Sequence, residues 1–506
     1  MKRSTFMKPV AYSLLLICGL VAKTVAQIKP NGSTAPSSAT PITAPGAYSS
    51  GILINYLRTR EAIAPITSAV VFDGADPTQA RQTTQYLDGL GRPIQTVIKQ
   101  FTPGLKDLVS PMVYDEFGRE ALKYLPYADT ATSGLFKLNP FASQASFMSS
   151  FYSGESVYYS QSLFEPSPLN RVSKAMSPGN SWSDTSRSIR MQYLVNDSYD
   201  SVRIWNIGND TLTYSNNDSL TNIPTSSSTY GAGQLFETHT MDEHGNQVVE
   251  YKDKEGKVIL KKVQVASSPS EGHTGWLCTY YVYDDYGLLR FVIPPKAVSQ
   301  LAANSWDLTN TGGILIKELC FRYEYDARQR VIAKKVPGAG WAYDVYDRRD
   351  RLGFTQDANM RNANQWMATV YDDQNRTAST GMISYSGNRS SLQHLLDNHF
   401  DAASTTTISL NFSAPDKLYV DTRESGKTAY HAVTEINFTG EFTTESGAEA
   451  ETILGAATVS TTSVLLNYDP FPSSANFIPL TATYYDDYTS TSKTYSSVKT
   501  TRTFPK

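Results

Sequence analysis

Three pairs of adjacent acids, Asp284-Asp285, Asp372-Asp373 and Asp486-Asp487, are the first residues in this 506-residue chain whose type could do chemistry. Two carboxylates serve glycoside hydrolysis when they stand about 5–10 Å apart across a sugar, one with a raised pKa. Neighbours at a turn tip do not meet that geometry, and each pair sits where a turn needs an Asp, so turn formation is the expected role. The same acids offer hard oxygen ligands for Ca2+, but no EF-hand or nonapeptide pattern surrounds them. The string ESGKT, residues 424–428, resembles the end of a phosphate loop, yet Asp421 stands where that loop needs its leading Gly. The six His form no HExxH, and His394 and His399 would diverge on a helix. No Ser lies in a GxSxG elbow, and neither Cys278 nor Cys320 has a His partner nearby in sequence. No catalytic, cofactor-binding or metal-ligating residue is assigned, and a non-enzymatic protein is expected. Trp182, Trp205, Trp276, Trp306, Trp341 and Trp366 are candidates for stacking on sugars, with core packing the commoner use of such rings.

The acids belong to a recurring unit. Aligned on Tyr-Asp, the chain reads YDEFGR from 114, YDDYGL from 283, YDARQR from 325, YDRRDR from 346, YDDQNR from 371 and YDDYTS from 485. Looser variants are YLDGLGR from 86, MDEHGN from 241 and YKDKEGK from 251. An Asp opening a turn accepts hydrogen bonds from backbone N–H groups two residues on. Three residues after the Asp, Gly118, Gly245 and Gly287 or the tolerant Asp350 and Asn375 fall where a tight hairpin needs φ > 0, whereas Gln329 and Thr489 fit poorly. Each unit is therefore a β-hairpin corner, with Tyr ending one strand and Arg beginning the next. Spacings of 21 and 25 residues between Tyr325, Tyr346 and Tyr371 suit one hairpin per unit, and such units must stack to bury their faces. The structural positions assigned are Asp115, Gly118, Asp284, Gly287, Asp326, Asp347 and Asp372.

The fold class expected is all-β: stacked hairpins forming a wound sheet, with short helices near 139–152 and 390–400. Thirty-two Tyr and 40% apolar residues fit half-buried strands. Asn139-Pro140 offers a cap and a first-turn Pro for the first helix. RSSLQHLLDNHF aligns Leu392, Leu395, Leu396 and His399, with Ser390 and Gln393 at capping-box spacing. A net charge of −3 gives no electrostatic footprint for nucleic acid. Residues 1–26 read as a secretory signal peptide: Lys2, Arg3 and Lys8 precede about 13 apolar residues, too few to span a bilayer, and Ala26 offers a cleavage point. Bulky Ile17 argues against lipidation of Cys18. No integral membrane span follows, and the expected location is extracellular or on the cell surface. Export leaves Cys278 and Cys320 either as a disulfide or as two buried thiols. The remaining segments are a linker at 27–47, β-rich domains at 48–145 and 146–240, repeats at 241–385, a helix with a β-rich insert at 386–470, and a final unit at 471–506 that reads as truncated.

The strings TTQYLDGLGRPIQTV, PMVYDEFGREALKYLPY, FEPSPLNRVSKAMSPGNSW, YVYDDYGLLRFVIPPKA and LCFRYEYDARQRVIAKKVPGAGWAYDVYDRRDRLGFTQD resemble the N-terminal half of Bacteroidetes RHS/YD-repeat proteins, over roughly residues 50–385. The resemblance includes the uncharacterised domain that precedes the repeats in that family. Residues 430–453 also resemble a short β-rich unit of surface proteins from the same phylum. The resemblance implies an exported β shell whose partner is a C-terminal RHS core or toxin segment, in the same chain or a separate one. The core's self-cleaving aspartate motif is not recognisable here, since the only Asp-Pro pairs, Asp76-Pro77 and Asp469-Pro470, lack that context. The function expected is a scaffold. The alternative is a surface adhesin or glycan-binding module.

Overall fold

Short alternating segments punctuated by Asp and Gly fold as hairpins because each buries only one face and must pair on both edges. A computed structural model describes residues 41–64, 76–183, 187–208, 222–309, 313–399, 406–420, 429–438, 449–456, 458–466, 470–472, 476–483 and 485. The leader, most of the linker, ESGKT and the corner expected at Asp486 lie outside these residues. The chain is mostly β, with antiparallel sheets and a few short helices. It divides into two compact units, residues 1–201 with 231–276, and residues 202–230 with 277–506.

In the first unit, a five-stranded sheet runs in the order Asn55–Ala62, Ala80–Leu87, Pro93–Ile98, Leu108–Pro111 and Tyr127–Ala128. A second antiparallel array runs from Leu122–Tyr124 through Tyr159–Phe164, Val172–Met176, Ile189–Val195 and Phe236–Met241 to Gln247–Lys252 and Val258–Gln264. The helix expected near 139–152 is Pro140–Phe151, with Pro140 in its first turn. Asn139 makes no side-chain cap bond. The helix is held instead by Phe141 and Met148 in the core, and by Gln144, whose Nε2 donates to Leu125 O (3.0 Å) and Tyr158 O (2.9 Å).

In the second unit nine strands pair antiparallel in succession: Trp276–Tyr283, Leu289–Ile293, Phe321–Tyr325, Val331–Lys335, Ala342–Tyr346, Leu352–Gln356, Gln365–Tyr371, Thr377–Ser384 and Phe477–Ala482. Alternation places Trp366, Ala368 and Val370 of one strand in a core that includes Trp341, Val345 and Phe354. The helix Arg389–His399 adds Leu392 and Leu396 to it. Its cap is Asn388, whose Oδ1 accepts Ser391 N–H at 2.9 Å, not Ser390. Gln393, free of any capping box, pairs with the backbone of Tyr346 through both ends of its amide. Helices Pro295–Ala303, Ile314–Glu318 and Ala358–Asn362 were not expected. Between Ser384 and Phe477 lie the antiparallel pair Thr406–Ser413 with Thr458–Leu466, and two parallel pairs, Lys417–Val420 with Glu435–Phe438 and Ala429–Ala432 with Glu451–Leu454. No helix among the described residues is long and apolar enough to cross a membrane.

Cys278 and Cys320 are both buried and lie outside any disulfide. The strand Leu289–Ile293 pairs on one side with the strand of Cys278 and on the other with Phe321–Tyr325, which Cys320 immediately precedes. Two strand spacings of about 4.8 Å separate them by about 10 Å, past the roughly 7 Å limit for a bridge. Burial pushes the Cys320 thiol up to about 12.

Candidate functional site: the hairpin corners

Eight corners share one backbone geometry, at Asp88, Asp115, Asp242, Asp253, Asp284, Asp326, Asp347 and Asp372. In each, the Asp N–H donates to the carbonyl four residues on, and the N–H three residues on donates back to the Asp carbonyl, all at 2.8–3.1 Å. This is a turn closed by one left-handed residue, the hairpin loop that matches strand twist. The left-handed position is held by Gly118 (φ 78°) and Gly287 (φ 75°), by Asp350 (φ 62°) and Asn375 (φ 66°), and also by Gln329 (φ 64°). The expectation that Gln329 would fit poorly is overturned: its surroundings impose the conformation without a glycine.

The Asp side chain closes the loop. In Asp347, Oδ1 accepts Arg349 N–H and Arg351 N–H, both at 2.9 Å, while Oδ2 accepts Arg351 Nε and Nη2, both at 2.7 Å. Asp115, Asp326 and Asp372 repeat this with Arg119, Arg330 and Arg376. Where Leu288 replaces the Arg, Arg290 substitutes: Nη1 lies 3.3 Å from Asp284 Oδ2 and Nη2 bonds Glu324. Burial pushes Glu324 above the usual carboxylate range despite the attraction of Arg290 and Arg322. In Asp115 and Asp372 burial pushes upward too, but the backbone N–H and guanidinium of Arg119 and Arg376 outweigh it and hold each carboxyl below its ordinary value. In the Arg-clamped corners both Asp oxygens are thus spent on the Asp's own turn. Asp285 and Asp373 beside them are exposed.

The corners are also joined to one another. Four guanidinium groups lie against the ring of the next unit's Tyr: Arg92 against Tyr114 at 4.4 Å, Arg330 against Tyr346 at 4.6 Å, Arg351 against Tyr371 at 4.5 Å and Arg376 against Tyr485 at 4.3 Å, while Arg119 lies against Phe164 at 4.1 Å. The Tyr hydroxyl donates back to the carbonyl following the clamp: Tyr114 to Pro93 (2.8 Å), Tyr346 to Val331 (2.9 Å) and Tyr371 to Leu352 (3.0 Å). A third link runs through the left-handed residue. Asp350 accepts from Arg328 (2.7 Å) and Arg330 (2.8 Å), and Asn375 from Arg349 (2.7 Å) and Arg351 (2.9 Å).

All seven sequence-assigned positions are at corners of this kind. Sequence reasoning missed the reach of Arg and Tyr into the adjoining unit, and missed one corner altogether. In FEPSPLNR, Glu165 replaces Asp, Asn170 takes φ 54°, and Arg171 clamps Glu165 through Nε (2.6 Å) and Nη2 (2.8 Å). The aromatic-acid opening and the Asn-Arg close were its signal, hidden by two extra residues. Among the Trp candidates, Trp205, Trp341 and Trp366 are buried, and Trp276 is tied to Ser270 O through Nε1 at 2.7 Å. No group of three or more His, Cys, Asp or Glu among the described residues is arranged to hold a metal ion.

Residues 58–195 match a domain of unknown function, DUF6443. No curated protein matches the chain. Among solved structures, a crystal structure of TcdB2-TccC3 is similar at 15% identity and a TM-score of 0.37, covering 61% of this chain and 13% of that one. A second, TcdB2-TccC3-TEV, is similar at 14% identity and a TM-score of 0.39, covering 74% and 15%. A Photorhabdus luminescens Tc holotoxin pore is similar at 15% identity and a TM-score of 0.37, covering 62% and 13%. The chain spans under one sixth of the length of these structures.

Proposed function

We propose that the chain is an exported, non-enzymatic scaffold of the Bacteroidetes RHS/YD-repeat type, the shell portion of a larger toxin-like or surface assembly. One observation supports this above the rest: the corner side chains are used in holding each corner and its neighbour, as in Asp347, Arg351, Tyr371 and Asn375. Residues committed in this way serve a continuous wall, and a wall serves to enclose or present an adjoining segment. The partner is then a C-terminal core or toxin segment, in the same or a separate polypeptide. The signal peptide at 1–26 would place the assembly outside the cell or on its surface.

The test is co-expression of the chain with the polypeptide encoded immediately downstream, followed by protease challenge. Protection of that polypeptide, relative to the same polypeptide alone, is the result expected. Equal digestion in both samples overturns the shell reading, and saturable binding of polysaccharide by the chain alone would replace it with an adhesin.

A further inference from the structure

We propose that the strand Asn55–Ala62 is a docking edge that receives an extended acidic segment of another polypeptide by strand addition. This goes beyond the scaffold reading and does not depend on it.

The strand is eight residues long and pairs in unbroken register with Ala80–Leu87. Its other edge has no partner strand among the described residues. All eight residues are exposed, including Tyr56 at 58% and Leu57 at 57%. It is thus held by backbone pairing and by cross-strand side-chain contacts, among them Arg58 Nε to Thr84 Oγ1 (3.1 Å), Arg60 Nε to Gln82 Oε1 (3.2 Å), Thr59 Oγ1 to Thr83 O (3.4 Å) and the Glu61–Arg81 ion pair (3.9 Å), rather than by burial. A long exposed edge with its N–H and C=O row open is the usual acceptor for an added strand.

Charge selects the occupant. Alternation puts Tyr56, Arg58 and Arg60 on one face, and the Arg58 guanidinium lies over the Tyr56 ring at 5.1 Å. A second copy is disfavoured. A two-fold axis normal to the sheet keeps faces together, and the two antiparallel registers that overlap the strand most fully set Arg58 against its own copy or against Arg60. Like charges directly opposite destabilise a pair, whereas opposite charges stabilise it. The fitting partner therefore has carboxylates two residues apart on the face beside Arg58 and Arg60, with main-chain hydrogen bonds supplying affinity.

The experiment uses the full chain and two labelled probe peptides, one alternating Thr and Glu and the other Thr and Lys. Fluorescence anisotropy reads binding, and amide hydrogen exchange reads where it occurs. The Thr/Glu peptide is expected to bind at least about tenfold more tightly than the Thr/Lys peptide and to slow exchange within residues 55–62. The double variant Arg58→Glu with Arg60→Glu, at exposed positions, is expected to reverse the preference. Absence of protection at 55–62 with either peptide, or equal binding of both, would overturn the proposal. So would concentration-dependent self-association protecting the same residues.

Discussion

Replacing Asp347 with Ala removes the clamp whose carboxylate is the most deeply buried of the corners. Its carboxylate is fully buried and Arg351 is 11% exposed, so the loss takes the carboxylate from a guanidinium that keeps Asn375 Oδ1 and the Tyr371 ring, and strands two turn N–H groups with little access to water. Breaking a buried ion pair from one side costs about 3–5 kcal/mol, and each orphaned donor about 1–3 kcal/mol. These costs overlap because the turn tip can admit water, giving a net loss of about 4 kcal/mol. At Asp372 the same substitution leaves a carboxylate site 13% exposed and an Arg376 31% exposed. Water then recovers part of the interaction, and about 2 kcal/mol is expected. Asp88, at 20% with Arg92 at 35%, should cost least. Because the chain has two compact units, a single unfolding free energy is ill-defined. The assay is amide hydrogen exchange of the strands flanking each corner, with thermal melts alongside. The ranking Asp347, Asp372, Asp88 is the expected result. Equal losses at all three, or a loss under about 1 kcal/mol at Asp347, would refute the reasoning that burial sets the strength of a shared motif.

Four further outcomes follow from the corners. Gln329→Gly should gain about 0.5 kcal/mol in melts by relieving a left-handed residue, less the added freedom of the unfolded chain. Asn375→Gly should instead lose about 0.5–1 kcal/mol, because two arginine hydrogen bonds go with the side chain. Gly287→Val should cost about 2 kcal/mol or more at φ 75°, while Asp285→Asn stays within about 0.5 kcal/mol. Urea titrations across pH should show stability falling in acid. The depressed carboxyls of Asp115, Asp242 and Asp372 contribute fully above their unfolded value of about 3.9 and lose that contribution as pH falls through their lower folded values. Glu324, raised by burial, acts in the opposite sense as pH rises past about 4.3 and is outnumbered.

The corners were legible because their determinants are local. An Asp that bonds N–H groups two and four residues on, and a residue at φ > 0, leave a fixed spacing that can be read without coordinates. The links between corners were not legible, because Arg351 meets Tyr371 only after an intervening strand sets the stagger. Gln329 shows the same limit from the other side: intrinsic preference argues against it, and the closing hydrogen bonds from Gln329 N–H to Asp326 O and from Asp326 N–H to Arg330 O prevail. The helix Pro295–Ala303 went unread although Pro294-Pro295 and the spacing of Ala297, Val298 and Leu301 announce it, since the neighbouring repeat pattern dominated that stretch. The cap at Asn388 was displaced to Ser390 by a pattern that Gln393 satisfies elsewhere, against Tyr346.

The measurement that bears most directly on the wall of linked corners is a double-mutant cycle on Arg351 and Tyr371, using Arg351→Met, Tyr371→Leu and the pair, followed by hydrogen exchange in the strands Leu352–Gln356 and Gln365–Tyr371. With the guanidinium 4.5 Å from the ring and the hydroxyl bonded to Leu352 O, a coupling of about 1 kcal/mol is expected. Additive losses, with no coupling, would mean that each corner stands alone and that the repeat is not a linked wall.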